Sequence, residues 1–376
     1  MQKTDYRTHV CLVSDQAIPN ITPVLDKRYA PERVVLIVSG KKMQVKAGGL
    51  KNVFVRHDIK VIVEHLRSED DFEIIRQDFK RIAQTYPDSV LNATGGKKIM
   101  TLAAYEAFLG ENLPVFYVEM DNTLRWLTPI SCVDPLQHSV SVTDILEAYL
   151  YKVTSMEQGA TQVQNELAAI FFSGQNYLSF VLTNFEFIGK ESKKTIRRKD
   201  NLPFDEKDIA ALRLIAQHDK QHDMISFQNG KWFGSAAGAK FLSGEWLEIH
   251  VYNMIANIAD KYGIKDCCRA LKIHSASDPT IENEIDVAFV HDNHLYLIEC
   301  KALRKSVKNK SMVDFIYTLE SIKKHGGLAT RAALLTWGSE PGPTDRSRAE
   351  ANRIRVFSGE TITRMDSGLA QWIGAA

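Results

Sequence analysis

The sequence predicts an α/β protein with a Rossmann-like N-terminal half and a second, smaller α/β domain at its C-terminal end. Three observations support this class. Short runs of β-branched residues alternate with helical stretches over residues 9–129, which is typical of a parallel sheet with crossover helices. From Gly244 onward the order is α-β-β-β-α-β. At 376 residues, the chain also exceeds the length that one hydrophobic core usually serves.

The N-terminal strands follow from their apolar runs, and the stretch 70–86 between two of them carries helical spacing. Alternation of strand and helix on this scale predicts one parallel sheet with right-handed crossovers. The five predicted strands are residues 9–14, 33–39, 58–63, 89–94 and 114–119.

The C-terminal half has equally clear signals, whereas the middle does not. Predicted helices cover 245–262 and 311–325, and predicted strands cover 270–274, 284–291, 294–302 and 331–338. Between them lie an apolar run at 177–188, a basic run, a helix at 205–218 and a short aromatic segment at 231–233. These suggest a winged-helix-like connector. The predicted domains are therefore 1–143, a connector at 144–238, and 239–376.

Composition excludes several classes of protein. With 44% hydrophobic and 25% charged residues, no segment approaches the roughly 18 unbroken apolar residues of a membrane span. The first nine residues lack an apolar signal core, so the cytoplasm is the expected location. Five cysteines without a CxxC pair suggest neither a zinc site nor a disulfide framework.

A net charge of +1 means that any contact with nucleic acid must come from local basic clusters. Two such clusters are present, and for each a solvated loop is the simpler interpretation. They comprise Lys190, Lys193, Lys194, Arg197, Arg198 and Lys199, and then Arg304, Lys305, Lys308 and Lys310.

The strongest candidate site lies on two neighbouring strands of the C-terminal domain. Residues 291–294 form a hairpin turn, so Asp286 and Glu299 face each other on antiparallel strands. The period of two along the second strand places Glu299 and Lys301 on one face and Cys300 on the other. The alternative, a surface salt bridge across the strands, fits poorly because these charges interrupt apolar strands, where unneeded charges are costly.

This grouping suits the hydrolysis of phosphodiester bonds. Hard oxygen ligands hold a divalent ion, here Mn²⁺ or Mg²⁺, against the phosphate, and a cation orients water or neutralises developing charge. We expect Asp286, Glu299 and the backbone carbonyl of Cys300 to bind the metal, with Lys301 as the cation. Glu284 shares a face with Asp286 and is a further candidate.

An upstream helix supplies one more acid. Its apolar stripe places Glu248 at the edge of the buried face, where the side chain can lean over the sheet. Glu245, one turn away, is the alternative.

Residues 283–286 and 297–301, after a helix with Trp246-Leu247-Glu248, resemble the PD-(D/E)XK nucleases, which share this core order. The proline of the family name is absent before Asp286, at a position that the family keeps loosely. The resemblance implies that Glu248, Asp286, Glu299 and Lys301 are catalytic.

A second candidate site lies in the N-terminal half. Asn92-Ala93-Thr94-Gly95-Gly96-Lys97-Lys98 joins a strand end to a helix start, and its backbone N–H groups and lysines suit a phosphate. Ser14, Asp15, Gln16 and Asn20 follow the first strand at the same sheet edge, where ligands of open α/β sheets bind. A tight turn with solvated lysines, and helix capping, are the simpler alternatives.

The N-terminal half resembles the CRISPR-associated Rossmann fold (CARF) domains, whose Asn-x-Thr-Gly-Gly-Thr-Lys stretch holds a cyclic oligoadenylate. Lys97 replaces the threonine and Lys98 matches the lysine. Together the two resemblances imply a homodimeric ancillary nuclease of type III CRISPR defence, activated by a cyclic oligoadenylate, with the four-membered ring favoured by its symmetry. The substrate, RNA or DNA, stays open. Two alternatives are a ligand-responsive nucleic-acid-binding regulator with an inactive nuclease fold and a constitutive nuclease.

Overall fold

The computed structural model describes residues 6–129, 131–137, 140–173, 185–189, 193–219, 224–280, 282–302, 312–338, 340–363 and 365–374. Within this part of the chain, three sheets carry the architecture. None of the described helices is long and apolar enough to cross a membrane.

The first sheet has seven strands in the order β3-β2-β1-β4-β5-β6-β7. The first five of these pair in parallel and correspond to the five predicted strands, so the Rossmann-like prediction is confirmed. The last two strands add an antiparallel edge. The strands are β1 (Thr8–Leu12), β2 (Arg33–Val38), β3 (Lys60–His65), β4 (Ser89–Asn92), β5 (Val115–Val118), β6 (Thr123–Thr128) and β7 (Cys132–Pro135).

Helices connect these strands and bury apolar side chains on both faces of the sheet. They are α1 (Ile18–Leu25), α2 (Gly40–Arg56), α3 (Phe72–Thr85), α4 (Lys98–Gly110) and α5 (Val142–Ala148). The helix α3 illustrates how the local sequence sets an element, because Asp71 caps its start by accepting a hydrogen bond from the Ile74 N–H at 3.0 Å.

The C-terminal sheet has the order β17-β16-β15-β14-β13-β8. The predicted sequence of elements, α-β-β-β-α-β, is found in α9 (Trp246–Tyr262), β13 (Ile264–Ser275), β14 (Glu282–His291), β15 (His294–Ala302), α10 (Met312–Lys323) and β16 (Arg331–Trp337). The chain ends with α11 (Pro343–Ala351), β17 (Ile354–Ser358), α12 (Glu360–Thr363) and α13 (Met365–Ile373).

The first part of the middle segment belongs to the C-terminal sheet and its helices. The strand β8 (Tyr151–Glu157) pairs with β13 and so extends the C-terminal sheet, and α6 (Gln162–Ser173) packs on α9. The basic run, for which a loop was the simpler interpretation, is partly a strand. A four-stranded antiparallel sheet, β11-β12-β10-β9, follows with two helices. These elements are β9 (Phe185–Ile188), β10 (Lys193–Arg198), α7 (Glu206–His218), β11 (Ile225–Gln228), β12 (Lys231–Ser235) and α8 (Ala236–Lys240).

One hydrophobic core joins the N-terminal domain to the C-terminal sheet. Apolar residues of α1 and α2, such as Ile21 and Leu50, belong to the same buried cluster as Leu297 of β15 and Ile316 of α10. Polar contacts reinforce this junction, since the Val142 N–H donates to Asp266 at 2.6 Å. A displacement in one domain therefore acts directly on packed groups of the other.

Candidate active site and sensing pocket

Asp286 and Glu299 lie where β14 and β15 separate. The last paired residues of these antiparallel strands are Val287 and Ile298, so the two carboxylates lie just beyond the ladder and opposite each other. Asp286 is only 8% exposed. The hairpin predicted from residues 291–294 does set this register, because His291 pairs with His294.

Lys301 lies between the two carboxylates. Its Nζ is 2.5 Å from Glu299 Oε1 and 3.3 Å from Asp286 Oδ2. The Cys300 N–H donates a hydrogen bond to the same Asp286 oxygen at 2.7 Å, while the Cys300 thiol packs into the hydrophobic core. Only the backbone of Cys300 is thus directed at the carboxylates, and the ring of Phe315 on α10 lies 5.5 Å from Lys301 Nζ.

Glu248 reaches this group from the first turn of α9. Its Oε2 atom is buried and has no hydrogen-bond partner among the described residues. Glu245 has a different environment, because its carboxylate pairs with the buried Arg269 at 3.1 Å and with Lys240 at 2.9 Å. Of the two acids that the helix pattern offers, Glu248 is the one with an unused oxygen facing the site.

Three carboxyls, the buried Asp286 and the partly buried Glu248 and Glu299, lie near Lys301, and their pKa values reflect their burial and mutual repulsion. Burial, followed by the Asp286 charge, raises the pKa of Glu248 to about 8 and that of Glu299 to about 7. Burial likewise raises the pKa of Asp286. Burial opposes a charge on Lys301, but Asp286 and Glu299 outweigh it and raise the lysine pKa. The site therefore carries more acid than its own cation can neutralise.

Replacing Glu248 with Gln should stabilise the metal-free protein at pH 8 and have little effect at pH 5. The folded pKa of Glu248 lies above its ordinary value of 4.5, so the folded state binds the proton more tightly and stability falls as pH rises from about 4.5 to about 8. Urea unfolding in the presence of a chelator measures this. The exposed Glu282→Gln is the control, and a Glu248→Gln variant that is less stable than the parent at pH 8 would contradict the assignment.

The donor atoms fit a divalent ion such as Mn²⁺ or Mg²⁺, since all three side chains offer carboxylate oxygens and one oxygen is unsatisfied. In the described part of the chain, no three His, Cys, Asp or Glu side chains already form a ready-made metal cluster. Lys301 accounts for this, because its ammonium group takes the place between Asp286 and Glu299. Glu284, the further acid considered, is exposed at the start of β14.

The second site lies at the carboxyl edge of the N-terminal sheet, in a cavity of about 510 Å³. Gly96 lines it, and Gly95 lies against β1. A Cβ at Gly95 would lie 2.1 Å from the Leu12 carbonyl oxygen, and Gly96 has a φ of +79°. Both positions therefore require glycine, which brings the backbone close to whatever the cavity holds.

Three lysines around this cavity have acidic partners, whereas Lys41, which lines it, makes no ion pair with a described residue. Asp15 pairs with Lys42 at 3.1 Å and with Lys46 at 3.0 Å, and these contacts, Lys46 first, lower the Asp15 pKa. Lys97 pairs with Glu69 and with Asp70, each at 3.0 Å. Lys98, at the start of α4, is exposed and makes no ion pair with a described residue.

Several polar residues predicted to bind the ligand instead hold the loops together. Asn20 is buried; its amide donates to the Leu12 carbonyl at 3.0 Å and accepts from Asn92 at 3.1 Å. The Thr94 hydroxyl donates to Asn92 at 2.6 Å and accepts from the Val118 N–H at 2.8 Å. Ser14 closes a local turn with Gln16, at 3.2 Å. Of the residues predicted to bind the ligand, those that line the cavity are Ser14, Asp15, Gly96 and Lys97, and those that do not are Gln16, Asn20, Thr94, Gly95 and Lys98.

Sequence analysis missed the turn from β2 into α2, although it lines the same cavity. Its lining residues are Ser39 and the first residues of α2, Gly40, Lys41 and Lys42. A signal was present, because Gly40-Lys41-Lys42 repeats the Gly96-Lys97-Lys98 pattern that follows β4, on the other side of β1. Both turns start helices without a side-chain cap, so their first N–H groups remain available to an anion.

A direct chain of contacts links the two sites. The Tyr149 hydroxyl accepts from the Ala17 N–H at 3.2 Å and lies 3.5 Å from Gln16 Oε1. On its other side lies the turn after α10, since a Cβ at Gly327 would be 2.1 Å from the same hydroxyl. Phe315, on that helix, faces Lys301. The sensing loop and the active-site lysine are thus joined through Tyr149 and α10.

Comparison with known proteins agrees with this arrangement. Residues 8–145 match the family model described as the Card1 CARF domain, and residues 236–376 match that of the Card1-like endonuclease domain. The two matches leave out mainly the middle segment. No curated protein matches the chain. An endonuclease domain of this kind indicates dependence on a divalent metal.

Three solved structures share the fold. Can2 from Sulfobacillus thermosulfidooxidans, solved with cyclic tetra-adenylate, has 22% identity and a TM-score of 0.77, covering 97% of this chain and 99% of Can2. Protein VC1899 from Vibrio cholerae has 23% identity and a TM-score of 0.79, covering 98% of each chain. A type III CRISPR defence DNA nuclease activated by cyclic oligoadenylate has 17% identity and a TM-score of 0.56, covering 89% of this chain and 46% of that one. The chain therefore combines a CARF domain of the Card1 type at residues 8–145 with a Card1-like endonuclease domain at residues 236–376.

Proposed function

We propose that this protein is a metal-dependent nuclease of CRISPR type III antiviral defence, switched on by a cyclic oligoadenylate. The observation that carries the proposal is the buried group of Glu248, Asp286 and Glu299 around a single lysine, on the same chain as a lysine-rich CARF pocket. The fold of Can2, solved with cyclic tetra-adenylate, supports the four-membered ring as activator. The cytoplasm is where such a nuclease would meet RNA and DNA.

The carboxylates of Asp286 and Glu299, the free oxygen of Glu248 and the Cys300 carbonyl would hold Mn²⁺ or Mg²⁺. When bound, the ion supplies Lewis-acid stabilisation of the phosphate and an activated water. Burial excludes competing solvent, and the Cys300 N–H fixes the orientation of the Asp286 carboxylate.

Lys301 balances the negative charge of the two carboxylates and would turn towards the substrate. Because its ammonium group contacts both Asp286 and Glu299, it lies next to any phosphate that a metal bound by them would hold. There it orients the attacking water or stabilises the charge of the pentavalent transition state.

In the CARF pocket, phosphates of the ring would meet the N–H groups of Gly95 and Gly96 and the ammonium of Lys98. The second turn, with Lys41 and Lys42, would meet another phosphate. A phosphate of the ring would compete with Asp15 for Lys42. The contacts of Lys42 would therefore differ between the empty and the filled pocket. A symmetric ring across two copies of the pocket calls for a homodimer.

Tyr149 is the residue through which this change would reach the nuclease domain. It contacts the loop that carries Asp15 on one side and the turn after α10 on the other. Movement of that loop therefore shifts α10, and with it the Phe315 ring that faces Lys301.

Tyr149→Phe should lower the activation ratio about fivefold, which corresponds to a coupling free energy of about 1 kcal/mol for the lost hydrogen bonds. The ring of the side chain stays in place, so the activator affinity should remain near the parent's. Cleavage rates with and without saturating activator, together with calorimetric titration, separate these quantities. The matched control is Tyr317→Phe, on the exposed face of α10. An unchanged activation ratio would remove Tyr149 from the route.

The function itself is tested by incubating purified protein with labelled RNA, single-stranded DNA and duplex DNA. Each substrate is tried with cyclic tri-, tetra- and hexa-adenylate, and without activator, in Mn²⁺ or Mg²⁺. We expect cleavage of at least one substrate only when ring and metal are both present. Ring binding without cleavage of any substrate would favour the alternative, a ligand-responsive nucleic-acid-binding regulator with an inactive nuclease fold.

A further inference from the structure

A second lysine lies beside the catalytic carboxylates, and neither the sequence motif nor the family resemblance assigns it a role. Lys240 ends α8, just before the turn that leads into α9. Its Nζ is 2.9 Å from Glu245 Oε1 and 3.9 Å from Glu157 Oε1. Its side chain is nevertheless 48% exposed, so the ammonium group is at the surface of this cluster.

The acids that Lys240 contacts have another partner. The guanidinium of Arg269, 3% exposed, pairs with the same Glu245 oxygen at 3.1 Å and also with Glu157. It is anchored further by the Gly159 carbonyl, which accepts from its Nε at 2.8 Å. Because Arg269 stays in place, Glu245 keeps a buried counter-ion when Lys240 moves away.

Lys240 is also close to the active centre. Glu245 and Glu248 are three residues apart at the start of α9, so their side chains are neighbours on the helix surface. Lys240 and Lys301 are the two cations that lower the pKa of Glu248, against the larger effects of burial, Asp286 and Glu245. Lys240 is thus close enough to Glu248 to affect its charge, as Lys301 is.

The two lysines differ in what they can do. Lys301 is 24% exposed and is held by Asp286 and Glu299. Lys240 is twice as exposed and leans on a carboxylate that Arg269 already neutralises. The positive φ of Gly244, +155°, kinks the helical backbone between Lys240 and α9, and the lysine pairs with Glu245 just before the first turn of that helix.

We infer that Lys240 is a substrate-binding residue, contacting a phosphate of the nucleic acid next to the one that is cleaved. This rests on the proposed nuclease function. In this role Lys240 swings from Glu245 to the phosphate and draws the strand across the opening of the site, where Glu248 and Asp286 lie. The contact is electrostatic and independent of base sequence.

The test measures binding rather than cleavage. Fluorescence anisotropy follows a labelled single-stranded oligonucleotide bound to the full-length Glu299→Gln protein with activator, at several salt concentrations. Adding Lys240→Met should weaken binding about 5- to 10-fold at low salt and reduce the slope of log affinity against log salt by about 0.7, as for one lost phosphate contact. Lys240→Arg should restore both quantities, since it keeps the charge.

Lys261→Met, at the far end of α9, is the matched control and should leave the slope unchanged. A Lys240→Met slope equal to that of the Glu299→Gln background would overturn the inference while leaving the nuclease function intact. Failure of the background protein to bind any oligonucleotide, with no cleavage by the parent, would instead remove the proposed function and this inference with it.

Discussion

Glu299→Gln and Lys301→Met are each expected to lower cleavage by about 1000-fold or more, in line with the loss of a preorganised electrostatic contact to the transition state. Glu299 contributes a carboxylate oxygen to the site, and Lys301 is the cation between it and Asp286. Single-turnover cleavage at saturating activator and metal measures the loss. Chelation should abolish the parent's activity, and Mn²⁺ or Mg²⁺ should restore it.

The choice of substitutions matters because the site is buried. Alanine at Lys301 would leave Asp286 and Glu299 without their shared counter-ion and open a cavity as well, whereas methionine keeps the packing against Phe315. The exposed Glu282→Gln, on the same strand as Asp286, is the control. Cleavage near the parent's rate by Glu299→Gln or by Lys301→Met, or full activity in excess chelator, would show that the active centre lies elsewhere.

The nuclease constellation could be predicted because strand geometry is local. A hairpin turn of fixed length sets the register, and the period of two then decides which side chains share a face. The structure accordingly places Asp286 opposite Glu299 and sends the Cys300 thiol to the core. The choice between Glu245 and Glu248 could not be made in this way. That choice depends on Arg269, which lies on β13 and forms an ion pair with Glu245.

The CARF pocket was predicted in part for a similar reason. Strand ends followed by glycine and lysine are visible in the sequence, and the Gly40-Lys41-Lys42 turn has the same signal as the turn that was recognised. The acidic partners of the lysines are not visible, because Glu69 and Asp70 come from the loop before another helix. The sequence also does not reveal that Asn20 and Thr94 already form hydrogen bonds with Asn92.

The middle segment was the least predictable part. The strand β8 is polar along most of its length, so alternation gave no sign that it would extend the C-terminal sheet. The winged-helix-like hypothesis stays a prediction; the described residues from β9 to α8 form a four-stranded antiparallel sheet with two helices. Most of the apolar run at 177–188, and the second basic cluster, fall outside the described residues.

Saturating cyclic tetra-adenylate is expected to raise the cleavage rate by about 100-fold or more, if about one molecule in a hundred is active without it. Lys98→Ala should weaken binding of the ring about 5- to 150-fold, which corresponds to about 1 to 3 kcal/mol for one charge-assisted hydrogen bond. At saturating ring, the variant should cut at close to the parent's rate, because Lys98 lies at the start of α4 in the N-terminal domain, apart from the active centre.

Lys98 is the most informative lysine to remove because it has no ion pair with a described residue, so its loss leaves no acid without a partner. The same change at Lys97 would release Glu69 and Asp70 and confuse the result. Lys60→Ala, exposed on an edge strand of the same sheet, is the control.

Calorimetric titration of parent and variants, together with cleavage rates at saturating ring, makes the measurement, and light scattering tests whether each protein is the proposed dimer. Equal affinity of parent and Lys98→Ala for the ring would place the phosphate contact at another residue, and a parent that does not bind any ring would leave a nuclease with a different regulator.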